Sequence, residues 1–387
     1  MAVLIGLPGC ALVGWPTVSG CYPCAAAAPE GPAAAPLERF IALGDFGTAD
    51  GGHNAEVAAV LRQFLAATPV PTERVFELGD NFYYYGLIGA QARCGDHLVA
   101  AAITDQAVSV LQPYEFLRDH NVTLTAIPGN HDYGCGKRSL ANETDIDRWL
   151  PPPHQWGARW EMISGLPREI VLGAGAVQVI LLDSTRMIDD ASFRDASADV
   201  LQDLLGRGRG RYRWRVLAAH HPLRTNGIHN GAWWKGTLAR LSSFLLLPSH
   251  ALAALQVPPF DLLNEEAYSI RYVQYREAVE AAMQRSGVPV TLFLGGHDHQ
   301  LQLLKPQAAG EPFVLVSGSA AKCSSVRAGN DTIFAAPKNG FAAISAYAQH
   351  LDIEFISTTD CRQRAPCASA ADGQVHTLFR YHIASPE

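Results

Sequence analysis

The sequence predicts an α/β layered fold. Short runs rich in Val, Ile, Leu and Phe recur along the chain, each the length of a strand and each closed by glycine, aspartate or histidine. Stretches with helical spacing lie between them. Beyond residue 300 the helical stretches cease and strand-like runs follow one another directly. That change predicts a sheet completed by antiparallel pairing.

In chain order, residues 39–43, 74–78, 122–127, 177–182, 214–219 and 288–294 read as buried strands. Residues 55–67, 199–205 and 265–285 read as helices. Residues 313–316, 341–349, 351–356 and 375–383 read as the last strands, with Gly340 and the Asp372-Gly373 pair marking turns. Residues 1–36 read as a signal and linker segment, and residues 37–387 as a single catalytic domain. An insertion around residues 231–265 could cap the site. Its Trp233-Trp234 pair could line a substrate mouth or anchor the insertion by packing.

The chain has 387 residues, 48% of them hydrophobic, enough for a large core. A net charge of −7 without a basic stripe argues against nucleic acid as a partner. The first 36 residues hold one charged residue, Glu30. Residues 2–14 suit the apolar core of a signal peptide and fall short of a bilayer span, and no other uninterrupted apolar stretch is long enough for one. Val18-Ser19-Gly20-Cys21 resembles a bacterial lipobox, which would place a lipid on Cys21. The alternative is an ordinary signal peptide cut after alanines 25–28.

Eight cysteines suit an oxidising compartment, so a secreted, periplasmic or cell-surface location is expected, as a lipoprotein if Cys21 is modified. Cys94 and Cys135 could be bridged near the site rim, and Cys361 and Cys367 could close a small loop, but spacing alone assigns no pairing.

Five of the strand-like runs end in metal-seeking loops: Gly44-Asp45-Phe46-Gly47, Gly79-Asp80-Asn81-Phe82-Tyr83, Gly129-Asn130-His131-Asp132, Ala219-His220-His221-Pro222 and Gly295-Gly296-His297-Asp298-His299. A single Gly-Asp pair after a strand is usually a turn. Two in succession, followed by Asn-His and His-x-His in order, weaken that reading. Glycine permits the tight backbone that aims a carboxylate off a strand end. His297 and His299, two apart, would point the same way from an extended segment and reach two neighbouring ions. Asn130 offers a neutral carbonyl oxygen suited to a divalent ion, and His220 closes its strand before Pro222. Tyr83 is either packing or, as a phenolate, a hard donor suited to Fe(III). Oxygen and nitrogen donors for two adjacent cations point to hydrolysis of a phosphate ester.

These motifs resemble those of the purple acid phosphatases within the calcineurin-like metallophosphoesterases, in particular the small tartrate-resistant type. Gly79-Asp80-Asn81-Phe82-Tyr83-Tyr84-Tyr85-Gly86 and Gly296-His297-Asp298-His299-Gln300-Leu301-Gln302 carry the likeness beyond the ligands. The resemblance implies a four-layer αββα sandwich with two mixed β-sheets. It implies an acid phosphatase acting on phosphate monoesters at a dinuclear Fe(III)–M(II) centre, M being Fe, Zn or Mn, with a metal-held hydroxide as nucleophile. Asp45, Tyr83 and His299 would hold Fe(III), Asp80 would bridge, and Asn130, His220 and His297 would hold the divalent ion. His131 would contact phosphate and protonate the leaving group, helped by His229, nine residues after His220. His221 stands where the small type commonly has Tyr, which would give it a substrate contact. A two-divalent-metal phosphodiesterase and a non-catalytic secreted binding protein are the alternatives on the same fold.

Overall fold

The computed structural model describes residues 17–23, 35–48, 52–67, 70–230, 269–360 and 374–385. Its strands are β1 (Glu38–Leu43), β2 (Thr72–Glu77), β3 (Thr123–Ala126), β4 (Trp160–Met162), β5 (Arg168–Leu172), β6 (Val177–Leu182), β7 (Trp214–Ala219), β8 (Leu292–Gly295), β9 (Leu301–Leu304), β10 (Phe313–Ser317), β11 (Thr332–Ala336), β12 (Gly340–Ala346), β13 (His350–Ser357) and β14 (His376–Ala384). They form two seven-stranded sheets, ordered β14-β13-β12-β1-β2-β3-β4 and β11-β9-β10-β8-β7-β6-β5. Both are mixed. β1 to β4 run parallel and β12 to β14 add antiparallel strands. In the second sheet β6, β7, β8 and β10 are parallel, while β5, β9 and β11 pair antiparallel at the margins.

Alternation along the strands sets the layers. Phe40 and Ala42 of β1 face the second sheet and join Val179, Leu181, Trp214, Val216 and Leu294 in a core between the sheets. Ile41 and Leu43 point the other way, onto α1 (Asn54–Ala67) and α2 (Ala100–Leu111), through Val57, Leu61, Ile103 and Val110. The short helices α3 (Glu115–Asp119) and α4 (Lys137–Thr144) follow in the chain. On the far side Ile180, Leu182, Leu217 and Phe293 pack on α5 (Ser184–Asp189), α6 (Ala191–Arg207) and α7 (Ile270–Ser286). Three hydrophobic interlayers mean four layers, αββα, as the resemblance implied.

The predicted strands and helices hold, with shifted ends. α7 starts at Ile270 because Ser269 caps it, its side chain accepting from the Tyr272 amide, and it stops at Gly287, φ +61°. β8, Leu292–Gly295, is shorter than the apolar run 288–294. The whole of the expected insertion, 231–265, lies outside the described residues, Trp233-Trp234 with it, as do Cys361 and Cys367. Among the described residues no helix is long and apolar enough to cross a membrane.

Residues 17–23, assigned from sequence to the targeting segment, pack on the second sheet. Tyr22 exchanges two backbone hydrogen bonds with Ala335 of β11, at 2.8 and 2.9 Å, and Val18 N donates to Val326 O at 2.9 Å. Cys21 is buried in the core between the sheets, and its sulfur is in a disulfide. Cys323 is also disulfide-bonded, and Cys94 is bridged to Cys135.

Candidate metal centre

All five ligand loops emerge from the C-terminal ends of parallel strands: β1, β2 and β3 of one sheet, β7 and β8 of the other. The sheets face each other, so these ends form one rim. Three predicted ligands there have left-handed backbones: Asp45 (φ 63°), Asp80 (φ 61°) and His297 (φ 67°). Non-glycine residues in this region cost about 1 kcal/mol or more each. Neighbouring loops hold them there. Asp45 N donates to Gly79 O at 2.9 Å, Asp80 N to Asp132 Oδ2 at 2.9 Å, and His297 N to Asp45 Oδ2 at 2.9 Å. The turn at His297 also replaces the extended segment expected between His297 and His299. Gly129 must be glycine for a different reason: a Cβ there would lie 2.3 Å from Asp80 Oδ1.

The seven predicted donors converge in two groups. In the first, the Tyr83 hydroxyl is 3.0 Å from Asp45 Oδ1 and 3.1 Å from His299 Nε2, which is 3.3 Å from Asp45 Oδ1. In the second, His220 Nε2 is 3.0 Å from Asn130 Oδ1, 3.3 Å from His297 Nδ1 and 3.4 Å from Asp80 Oδ1. Asp80 touches both groups, since its carboxylate also meets the Tyr83 hydroxyl.

His220 Nδ1 donates to Leu78 O at 2.8 Å, which leaves Nε2 as the ring atom that faces the oxygens of Asn130 and Asp80. Burial holds the His297 imidazole well below its usual range and lowers His299 to about 4, so these two rings are neutral donors. Burial pushes Asp45 up to about 8, and burial with the Asp45 charge pushes Tyr83 well above its ordinary value. For Asp80 burial is outweighed by His220 and His131, and its carboxyl falls below the usual range. Such crowding of lone pairs and suppressed anions is relieved by cations between them. The donor set therefore fits a dinuclear metal centre, with Asp45, Tyr83 and His299 grouped at one position and Asn130, His220 and His297 at the other.

The remaining predicted site residues divide. His131 stands at the open side, its ring 4.5 Å from that of Tyr83 and its Nε2 3.9 Å from Asp80 Oδ2. His229 lies over His297, ring centroids 4.3 Å apart. His221 does not reach the open side. It is 0% exposed, its Nδ1 meets Ser184 Oγ at 3.0 Å, and its ring packs on His297 at 4.5 Å. The substrate contact expected for His221 is thus corrected to a buried position behind His297.

Sequence reading missed three residues. Asp132 accepts from Asp80 N, Asn81 Nδ2, Phe82 N and Gly129 N at 2.7–3.1 Å, fastening the second ligand loop to the third. Asp298 accepts from His229 N at 3.1 Å and from the Thr225 hydroxyl, fixing the loop that carries His229. Both lie inside the quoted motifs beside a ligand, which was the available signal. Lys322 had none: its Nζ lies 3.4 Å from the centre of the Tyr83 ring. Tyr84 and Tyr85, 56% and 43% exposed, form the adjoining rim.

Two mixed sheets with a two-cation donor set at their shared rim define a metallophosphoesterase. The chain belongs to the calcineurin-like phosphoesterase family, whose model matches residues 38–301. Among solved structures it is similar to GAP50, the anchor in the inner membrane complex of Plasmodium, with TM-score 0.58 and 13% identity over 90% of this chain and 89% of that one. It is also similar to the purple acid phosphatase PPD1 of yellow lupin (Lupinus luteus), with TM-score 0.54 and 15% identity over 92% of this chain and 55% of that one. A third is PhoD, with TM-score 0.53 and 11% identity over 92% of this chain and 72% of that one. At these identities the likeness concerns the fold. No curated protein sequence matches the chain significantly.

Proposed function

We propose that this metallophosphoesterase is an acid phosphatase of the purple acid type, hydrolysing phosphate monoesters at an Fe(III)–M(II) centre. The observation that carries the reading is the Tyr83 hydroxyl, set 3.0 Å from Asp45 Oδ1 and 3.1 Å from His299 Nε2. A phenolate in that group is a hard anionic donor matched to a trivalent ion. When bound, the two ions supply activation of water and neutralisation of the phosphoryl oxygens.

The chain's own residues do the rest. Asp80 joins the two donor groups and fixes their separation. His131 Nδ1 donates to Tyr84 O at 2.8 Å, which turns Nε2 toward the site. A proton held at Nε2 is placed for the leaving oxygen, and His229 offers a second donor from the opposite side. The Gln300 side chain braces Thr225 at 3.3 Å and so steadies the His229 loop. Export to an oxidising compartment, secreted or periplasmic, belongs to the same reading and is supported by the bridged Cys94, Cys135, Cys21 and Cys323.

Elemental analysis with a visible spectrum tests the proposal. The purified protein should contain iron and absorb in the visible, and Tyr83→Phe should lose that band while staying folded. Turnover of an aryl phosphate should peak at acidic pH. A colourless protein with two divalent ions and an alkaline optimum on diesters would replace this reading with a phosphodiesterase. A fully metal-loaded protein without turnover would make it a binding protein on the same fold.

A further inference from the structure

A second group of metal-seeking side chains lies on the outer face of the first sheet. His350 and Asp352 are two apart on β13 and so share a face. The antiparallel register sets His382 of β14 directly opposite Asp352. Leu351 and Ile353, which alternate with them, belong to the core between the sheets. Asp352 aligns with Ser345 of β12, and Ser345 with Arg39 near the start of β1. The group therefore sits toward the end of the sheet where β1 begins, whereas Asp45 follows the end where β1 stops.

Nε2 of His350, a carboxylate oxygen of Asp352 and a ring nitrogen of His382 all lie within 4.8 Å of one another. His350 Nε2 is 3.2 Å from Asp352 Oδ1. Two ligands on a tetrahedral zinc ion, with bonds near 2.0–2.1 Å, stand about 3.3 Å apart. His382 Nδ1 meets the same Asp352 oxygen. His350 Nε2 is buried and makes no well-aligned hydrogen bond, its contact with Asp352 Oδ1 being an ion-pair distance only. The two imidazole planes are 82° apart with centroids at 5.3 Å, and Tyr347 stacks on His350 at 4.5 Å and fixes that ring. Neighbouring cations on this face have other partners: Arg380 pairs with Glu354 at 3.0 Å, and Arg39 donates to Ser345 Oγ at 3.0 Å.

We propose that His350, Asp352 and His382 form a mononuclear site for a zinc-class divalent cation, separate from the dinuclear centre, with water in the fourth position. Side-chain exposures of 28% for His350 and 36% for His382 place the group near the surface, within reach of a cation from solvent. The ion would clasp β14, an edge strand, to β13. Two imidazoles and one carboxylate select zinc, cobalt or nickel over calcium or magnesium.

The test uses the full chain, stripped of metal and titrated with Zn²⁺, with metal content measured after gel filtration. Wild type should retain one zinc per chain more than His382→Gln or Asp352→Asn, and the affinity of that step should fall about 100-fold in either variant. With Co²⁺ in place of zinc, the variants should lose one set of visible bands. Phosphate-ester turnover should stay unchanged in both, which separates this site from the reading of the dinuclear centre. If Asp352→Asn fails to fold, the more exposed His382→Gln carries the test. Equal zinc content and equal affinity in wild type and variant would show an ion pair between the imidazoles and Asp352, and would overturn the proposal.

Discussion

Asp132 shows how one residue governs several ligands without being one. Its Oδ2 accepts from Asp80 N, Asn81 Nδ2 and Gly129 N, and its Oδ1 from Phe82 N. Glu143, pushed well above its usual range by burial and by the Asp132 charge, supplies a further proton to the pair. In Asp132→Asn one acceptor oxygen becomes a donor facing a donor. The variant should lose about 2–4 kcal/mol of stability and about 10–100-fold in activity as Asp80 loosens. Denaturant unfolding and kinetics at fixed metal loading check both. Glu38 gives a pH signature. Burial, then the Glu73 charge, raise its carboxyl to about 7. A folded value above the unfolded one means the folded state keeps the proton longer. The stability this contributes is full below about pH 4.5 and is lost as pH rises through about 7. Glu38→Gln still accepts from Gly173 N and has no such loss. Its stability relative to wild type should rise by roughly 1–3 kcal/mol between pH 4.5 and 7.5, read from thermal melts across that range.

At the scale of elements, function rests on loops held by their neighbours rather than by their own propensity. The Cys94–Cys135 bridge joins the segment after Tyr85 to the one after His131, across a sequence separation of 41. Loop-closure entropy puts its contribution at about 3–4 kcal/mol. Cys94→Ala with Cys135→Ala should lower stability by that order and raise KM more than it lowers kcat, because the exposed rim of Tyr84 and Tyr85 is freed while the buried donors are not. Steady-state kinetics beside a melt would show the split; a matched fall in kcat would place the effect at the metal donors instead.

At the scale of the molecule, the metal centre and the fold depend on each other. Its donors come from both sheets, so bound ions fasten one sheet to the other at the rim. Trp214 does the same at the opposite end of β7, its Nε1 donating to Tyr347 O at 2.7 Å across the core. Removing metal leaves the Asp45 and Asp80 carboxyls crowded in a buried site, with Asp45 pushed up to about 8 by burial. Chelation should lower the melting temperature by roughly 5–10 °C, restored by adding back the metals the protein was purified with. An unchanged melt would show that the sheets hold together without ions.

The strand-ending motifs, their order and the parallel strands beneath them were legible in the sequence, because a buried strand followed by Gly-Asp or His-His is a local pattern with a local cause. The αββα class and the sorting of seven candidate donors between two ions came only through the resemblance to a known family. The turn at His297, the burial of His221, the roles of Asp132, Asp298 and Lys322, and the docking of residues 17–23 were decided only by the tertiary structure. Each depends on which loop lies beside which across two sheets, and residues as far apart as Asp45 and His297 carry no mark of their contact in the sequence between them. The His350–Asp352–His382 group has the same origin: strand register, not spacing, brings its third member into place.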